Sequence, residues 1–442
     1  MALHFPLSGL LTALLLTVGC APQAAPPATV GALRIVVSGD TAGWIVPCGC
    51  TSNQSGGLPR RATLVEQLRR DAAVVYVDVG GAVSGNTPYD RLKFAAILEG
   101  ESQMQVVAHN LGPAELRLGH ETLVEMAATQ KIPWLASNVR FDQGGNPSSR
   151  ILFVERAGRL LAFVGVVSPK IAVPGVRIEP PRQAILDIIR STDRRYDSLI
   201  VLAYLDEQEL LALAEELPEA DVIVGGPTGQ SISPKQVGQT LAASATNKGK
   251  FVVRLDAPAE QTGRWTGEVL ELTDKYVNDP GQDANLQAYY RRLNERDLTP
   301  ADTPFAPQRT ESTPESYRIA GTERCRDCHA DECQSWKDTG HARAWESLTR
   351  TGAQVDPYCQ HCHANGYGVA GGFVTQRRTP QAIGVGCESC HGPSQSHVDN
   401  SVTRTAFAAQ SAGQCVRCHD RENSPSFTFD AYWSRIQHGK KP

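Results

Sequence analysis

The sequence predicts a layered α/β domain followed by a separate cysteine-rich domain in one chain of 442 residues. Three observations carry that division. Apolar runs of strand type alternate with helical spacing from Leu33 to Val224. A Pro- and Thr-rich stretch with little apolar content, Thr299 to Thr313, interrupts the pattern, and nine of the twelve cysteines lie beyond it, between Cys325 and Cys418. Alternating strands and helices bury apolar faces on both sides of a sheet, which is the α/β layered class.

The elements follow in order. Leu7 to Val18 is an apolar run too short to span a bilayer and of the length of a signal-peptide core. It ends in Thr17-Val18-Gly19-Cys20, which resembles the bacterial lipoprotein processing site and implies a membrane tether through Cys20. Residues 1–20 are therefore expected to be a signal peptide and 21–32, rich in Ala and Pro, a tether. The strands are expected at Leu33 to Val37, Val74 to Val79, Leu199 to Leu202 and Val222 to Val224, with helices at Ala62 to Arg70, Arg91 to Glu99, Gln183 to Ile189 and Gln208 to Glu216. Hairpins are expected at Arg156-Ala157-Gly158 and at Asn247-Lys248-Gly249. The first domain spans 33–275, a helix from Asn285 to Leu298 and the linker fill 276–318, and the second domain occupies 319–442. A formal net charge of −4 leaves no basic excess, so nucleic acid is not an expected partner.

In the second domain the pattern C-x-x-C-H occurs four times: Cys325/Cys328/His329, Cys359/Cys362/His363, Cys387/Cys390/His391 and Cys415/Cys418/His419. In such a motif the two thiols bond to the vinyl groups of one haem and the adjacent imidazole becomes the proximal iron ligand. Structural zinc also uses paired cysteines but would not require His after every pair. Four covalently bound c-type haems are expected, and because the domain has little apolar side chain the porphyrins must supply its packed interior. Four further histidines, His341, His361, His397 and His438, are candidates for sixth ligands. His361 lies inside the second motif, badly placed to reach over its own haem, and reads as a polar surface side chain. Three distal ligands then serve four irons.

The run Gln334-Ser335-Trp336-Lys337-Asp338-Thr339-Gly340-His341-Ala342-Arg343-Ala344, with Gly386-Cys387-Glu388-Ser389-Cys390-His391-Gly392-Pro393, resembles the cytochrome c-554 family of tetrahaem electron acceptors. The resemblance implies a mainly helical multihaem fold with three bis-His irons and one five-coordinate iron. Carried over to this chain, it implies that His341 ligates the haem of His391, His397 that of His419 and His438 that of His329, leaving the iron of His363 open.

Leu33 to Asp40, Gly56-Gly57-Leu58-Pro59-Arg60-Arg61, Ile132 to Val139 and Asp221 to Gly226 together resemble the 5'-nucleotidase branch of the metallophosphoesterases. That resemblance implies a four-layer α/β/β/α sandwich. The family's two-metal chemistry needs Asp, Asn and His ligands, and most are missing. D-x-H has become Asp40-Thr41-Ala42, the G-D strand end is Gly80-Gly81, and the final G-G-H-x-H is Gly226-Pro227-Thr228-Gly229. With Gly119-His120-Glu121 matched to G-N-H-E, only Asp40 and His120 survive as ligands. Cys48 and Cys50, two apart in a Gly-rich loop, are compatible with a labile disulfide, with a metal site completed by another chain, or with a structural role. Cys333 reads as a buried thiol on the helix after the first motif. The sequence thus leads us to expect an exported electron carrier, tethered at a membrane in the periplasm or at the cell surface, with an unidentified redox protein as partner and a silent nucleotidase-like module. The alternatives are a small-molecule reductase at the open haem and a residual phosphoesterase.

Overall fold

The computed structural model describes residue 1 and residues 32–438, apart from 48–53, 246, 261–262, 309 and 408–411. The signal run, the tether, Cys20, Cys48 and Cys50 lie outside the described residues.

Two six-stranded sheets form the first domain. In spatial order the first holds Thr266–Glu271, Phe251–Asp256, Leu33–Ser38, Ala73–Asp78, Val106–Asn110 and Trp134–Leu135. The second holds Ile232–Val237, Thr240–Ser244, Val222–Gly225, Ser198–Tyr204, Arg159–Val167 and Leu152–Arg156. Both sheets have parallel centres; the second is antiparallel at both edges, the first only on the side of Phe251–Asp256 and Thr266–Glu271, its Trp134–Leu135 edge being parallel. Their period-2 side chains explain the layers. Ile35, Val37, Val75 and Val77 meet Phe163, Ile200, Leu202 and Val224 between the sheets. Val36 and Tyr76 point the other way, into a core shared with Leu58, Phe94, Ile97 and Tyr289, while Val201 and Ile223 face Ile185 and Leu210 on the far side. The result is the expected four-layer α/β/β/α sandwich.

The helices begin where local chemistry lets them. Pro88–Gln103 and Glu207–Glu216 open on capping boxes at Thr87/Asp90 and Asp206/Glu209, which satisfy the otherwise orphaned first-turn N–H groups. Pro280–Arg296 opens on Asp279, with Pro at its first position. It packs on the sandwich: Asn285 donates to the Ala96 carbonyl at 2.8 Å and Gln282 to that of Gly100 at 3.1 Å, and Tyr289 and Leu293 join the outer core.

The Arg156-Ala157-Gly158 hairpin is present, with Arg156 opposite Arg159. The second expected hairpin is corrected. Asn247, Lys248 and Gly249 do turn the chain with positive φ, but the strand before them belongs to the second sheet and Phe251–Asp256 pairs with Leu33–Ser38 and Thr266–Glu271 in the first. Turn chemistry is local, whereas the choice of strand partner is made by the two cores.

The second domain is a series of short helices, as the cysteine-rich sequence and its family resemblance led us to expect. Its own apolar cluster is small: Trp345, Leu348, Ala353, Ala364, Tyr367, Phe373 and Ala382. The connecting segment is packed rather than loose. Phe305 lies against Tyr89 of the sandwich (5.6 Å) and against Tyr358 (5.7 Å) and His361 (4.7 Å) of the second domain.

Candidate haem centres and the strand-end cleft

Each C-x-x-C-H motif occupies about one helical turn. His329 N donates to the Cys325 carbonyl at 2.9 Å and His419 N to that of Cys415 at 2.8 Å, and the second and third motifs lie within Pro357–His363 and Cys387–His391. Residues three and four apart share a helix face, so two thiols and one imidazole are presented together.

Three of the four further histidines face motif imidazoles. Ring centres lie 6.1 Å apart for His329 and His397, 6.1 Å for His341 and His419, and 6.0 Å for His391 and His438. Two imidazoles that each bind one metal ion through a nitrogen at about 2 Å hold their ring centres roughly 6 Å apart. The spacing therefore fits an iron between each pair. Hydrogen bonds at the other ring nitrogen agree: Nδ1 lies 2.7 Å from the Thr403 carbonyl in His397, 2.8 Å from Ser424 Oγ in His419, 2.8 Å from the Ala344 carbonyl in His363 and 3.0 Å from the Ile436 carbonyl in His438. Such bonds fix the ring and leave Nε2 for the metal. Burial pushes His341, His363, His391 and His419 toward the neutral, ligating form.

These pairs correct the ligand assignment expected from the family resemblance. His341 faces His419 rather than His391, His397 faces His329 rather than His419, and His438 faces His391 rather than His329. The reason is a clamp at Glu388, inside the third motif and 3% exposed. Its carboxylate accepts from the N–H groups of Ala320 and Gly321 (both 2.8 Å) and Ser394 (2.9 Å). The segment entering the first motif is thereby bound to the segment leading to His397. His363 has no imidazole opposite it at this spacing among the described residues.

His361 is also corrected. Instead of a surface group it stacks on Phe305 with an interplanar angle of 9° and lies 5.4 Å from Tyr358, its Nδ1 buried without a hydrogen-bond partner. Phe305, some 55 residues upstream, supplies the cover, which the motif spacing alone does not reveal. Cys333 is buried on the helix Ala330–Lys337.

In the sandwich, the ends of the parallel strands form the cleft where α/β sheets bind ligands. Asp40 follows the first strand, and its carboxylate accepts from Asn247 N at 3.3 Å. The run beside Gly80 and Gly81 is Gly112-Pro113-Ala114-Glu115, with Glu115 accepting from the N–H groups of Gly81, Ala82 and Val83 at 2.6–3.2 Å. This corrects the placement of the lost motif at Gly119–Glu121: His120 sits instead against Gly144 and Phe141. Tyr204 fills the space over the glycines, and a Cβ on Gly81 would lie 2.5 Å from its ring.

Among the described residues, Asp78, Glu101 and His109 are close enough together to suggest a metal site. Their environment makes them an ion-pair network. Asp78 accepts from Ser38 Oγ (2.5 Å) and Gly80 N (2.8 Å), and Arg61 lies 4.0 Å away. His109 Nδ1 is 2.6 Å from Glu101. Burial opposes a charge on His109, yet the Glu101 and Asp78 carboxylates overcome it and raise the imidazole to about 9; burial raises Glu101 to about 7 against the pull of His109. Two carboxylates are thus matched by two cations, leaving no net negative charge to attract a further ion.

The two domains meet beside the cleft. Trp44, in the loop after the first strand, packs edge-on against Tyr358 at 5.3 Å, and Lys248 pairs with Glu422.

Comparison with known proteins agrees with both halves. Residues 324–392 match the family described as cytochrome c554 and c-prime, and residues 380–425 match a doubled CXXCH motif. Cytochrome c-554 of Nitrosomonas europaea is 42% identical over 88 residues, 16% of this chain and 37% of that protein. An uncharacterized metallophosphoesterase of Bacillus subtilis, YunD, is 28% identical over 191 residues, 38% of this chain and 41% of that protein. The chain thus spans about two fifths of the length of the curated relatives it matches. The 5'-nucleotidase precursor from Thermus thermophilus superposes with a TM-score of 0.53 at 18% identity, covering 68% of this chain and 67% of that one. The sulfate thiohydrolase SoxB of the same species gives 0.53 at 18%, covering 64% of each. No helix among the described residues is long and apolar enough to cross a membrane. The carboxy-terminal region resembles the cytochrome c-554 family and carries covalently bound c-type haem, and the amino-terminal region has the fold of the 5'-nucleotidase-like metallophosphoesterases.

Proposed function

We propose that this protein is an exported tetrahaem electron carrier whose haem domain is docked on a catalytically silent nucleotidase-like sandwich. The observation that carries the reading is the set of three imidazole pairs at 6.0–6.1 Å, with His363 the one motif histidine left outside it. Haem iron supplies one-electron exchange. The chain's residues supply the rest. Cys325 and Cys328, Cys359 and Cys362, Cys387 and Cys390, and Cys415 and Cys418 anchor the four groups. His329 with His397, His419 with His341 and His391 with His438 would hold three irons, and His363 would hold the fourth. The signal-type leader and Cys20 support a periplasmic or cell-surface protein tethered to a membrane, exchanging electrons with an unidentified protein.

Silence of the sandwich is supported by its cleft. Tyr204 takes the room that a ligand side chain at Gly81 would need, and Pro113 and Ala114 carry no metal-binding group. A two-metal centre cannot be assembled from Asp40 alone. The second reading, reduction of a small molecule at the His363 haem, is favoured by the lack of a facing imidazole among the described residues, since an iron with an open side is where a substrate coordinates. Mass spectrometry of the mature protein tests the first reading: the processed chain plus four haems is expected, and three or fewer would refute it. The second is tested by adding nitric oxide to the reduced protein, with binding at one haem in four expected.

A further inference from the structure

The helix that carries the second motif is held by the sandwich at its head. Asp356 caps Pro357–His363, accepting from Tyr358 N at 2.9 Å, and is 6% exposed. Two sandwich phenols close on the same carboxylate: Tyr89 donates to Oδ1 at 2.7 Å and Tyr289 to Oδ2 at 3.2 Å. Burial, reinforced by that carboxylate, pushes both phenols well above their ordinary range, so they remain donors. A cation completes the arrangement. Lys93 donates to Tyr89 Oη at 2.9 Å, and its ammonium stands 5.0 Å from the Tyr89 ring and 5.3 Å from that of Tyr358, the residue before Cys359.

Such a clasp exceeds what attachment of two domains needs. Three donors converge on one buried carboxylate, which keeps a negative charge fixed where solvent cannot screen it. From Asp356 to His363 is seven residues along a helix, or roughly 10 Å. At that distance, with an effective dielectric near 20, one charge alters a one-electron equilibrium by about tenfold. Fixed charge and hydrogen bonding beside a haem are among the means by which a protein sets its potential.

We propose that the sandwich is a potential-setting partner for the haem held by His363, acting through the Tyr89–Asp356–Tyr289 clasp and the Lys93 ammonium. Asp356 and Lys93 are positioning residues of opposite sign: the carboxylate favours the ferric state and the ammonium the ferrous state. The inference rests on the reading of Cys359, Cys362 and His363 as a haem site. It gives the nucleotidase-like domain a task that needs no phosphoesterase chemistry.

The test is a spectroelectrochemical titration of the full-length mature protein and three variants, following each haem by its spin state. Asp356→Asn keeps the shape and an acceptor oxygen while removing the charge. It should raise the midpoint of the high-spin haem by about tenfold in its ferrous-to-ferric ratio, or 59 mV for one electron, with the other three nearly unmoved. Lys93→Met should move the same haem in the opposite direction. Tyr89→Phe opens the clasp but keeps both charges and should shift it less than Asp356→Asn does. The tuning role is overturned if both charge variants move every midpoint less than twofold, or if Tyr89→Phe reproduces the Asp356→Asn shift in sign and size, which would mean mere loosening of the domains. Should Asp356→Asn fail to mature, Lys93→Met decides alone. Failure of the haem assignment is separately visible, as a missing haem in the mass or no high-spin signal in the unaltered protein.

Discussion

The sandwich and the haem domain solve the problem of a protein interior in opposite ways. The sandwich fills three layers with its own side chains, from Ile35 and Val75 between the sheets to Phe94 and Ile97 outside them. Among the described residues the haem domain owns one cluster of seven buried residues, and its helices are mostly one or two turns long, too short to be stable without packing. The first can therefore fold on its amino acids, while the second depends on groups attached after synthesis. Order of assembly therefore matters: a domain that takes part of its interior from cofactors gains from a prefolded neighbour to organise against, and Asp356, Phe305 and Tyr358 tie the haem domain to the sandwich.

The largest effect that would expose this contrast comes from withholding haem. Expressed without cytochrome c maturation, the protein should keep the sandwich's protease resistance while everything beyond about residue 319 is digested. Equal protection of both halves would show that the second domain folds without haem. Next in size is the Glu388 clamp. Glu388→Ala leaves the N–H groups of Ala320, Gly321 and Ser394 without their carboxylate, and bonds to a charged acceptor contribute about 1.5–3 kcal/mol each. The variant should lose several kcal/mol and separate His397 from His329, adding a second high-spin haem. A variant that retains its spin count would remove Glu388 from the account of ligand pairing.

A smaller effect sharpens the sandwich side. His109 titrates higher in the folded protein than its ordinary value near 6.5, so its contribution is full below that pH and is lost as pH rises through about 9. Glu101, raised to about 7, adds a decline of the same sign that begins lower, from about pH 4.5 upward. Stability of the sandwich should therefore fall between pH 6.5 and 9.5, by on the order of 3 kcal/mol from His109. Denaturant midpoints measured across that range should decline in the unaltered protein and lose most of that decline in His109→Gln; parallel curves would show that the pair is not responsible.

How far the sequence could be read follows the same division. In the sandwich, runs such as Leu33 to Val37 and Val222 to Val224 were legible because burial on both faces leaves a continuous apolar pattern. What local pattern could not show was which sheet Phe251 joins, or that Gly112–Glu115 rather than Gly119–Glu121 stands beside Gly80. In the haem domain the C-x-x-C-H motifs were legible because their pattern is local to five residues. Which histidine faces which was not legible, since a long-range contact such as that of Glu388 with residues 320–321 and 394 brings His397 to His329. His361 was misread for a related reason: its cover, Phe305, comes from the connecting segment.

Pairing of the imidazoles is read out by a spin count, using electron paramagnetic resonance on the fully oxidised protein. One haem in four should be high-spin in the unaltered protein. His341→Ala, His397→Ala and His438→Ala should each convert one more, and His361→Ala none. His397→Ala combined with removal of the first haem through Cys325→Ser and Cys328→Ser should then show only the one original high-spin signal, because His397 serves His329. Four low-spin haems in the unaltered protein, or a second high-spin signal in that combined variant, would contradict the structure's pairing.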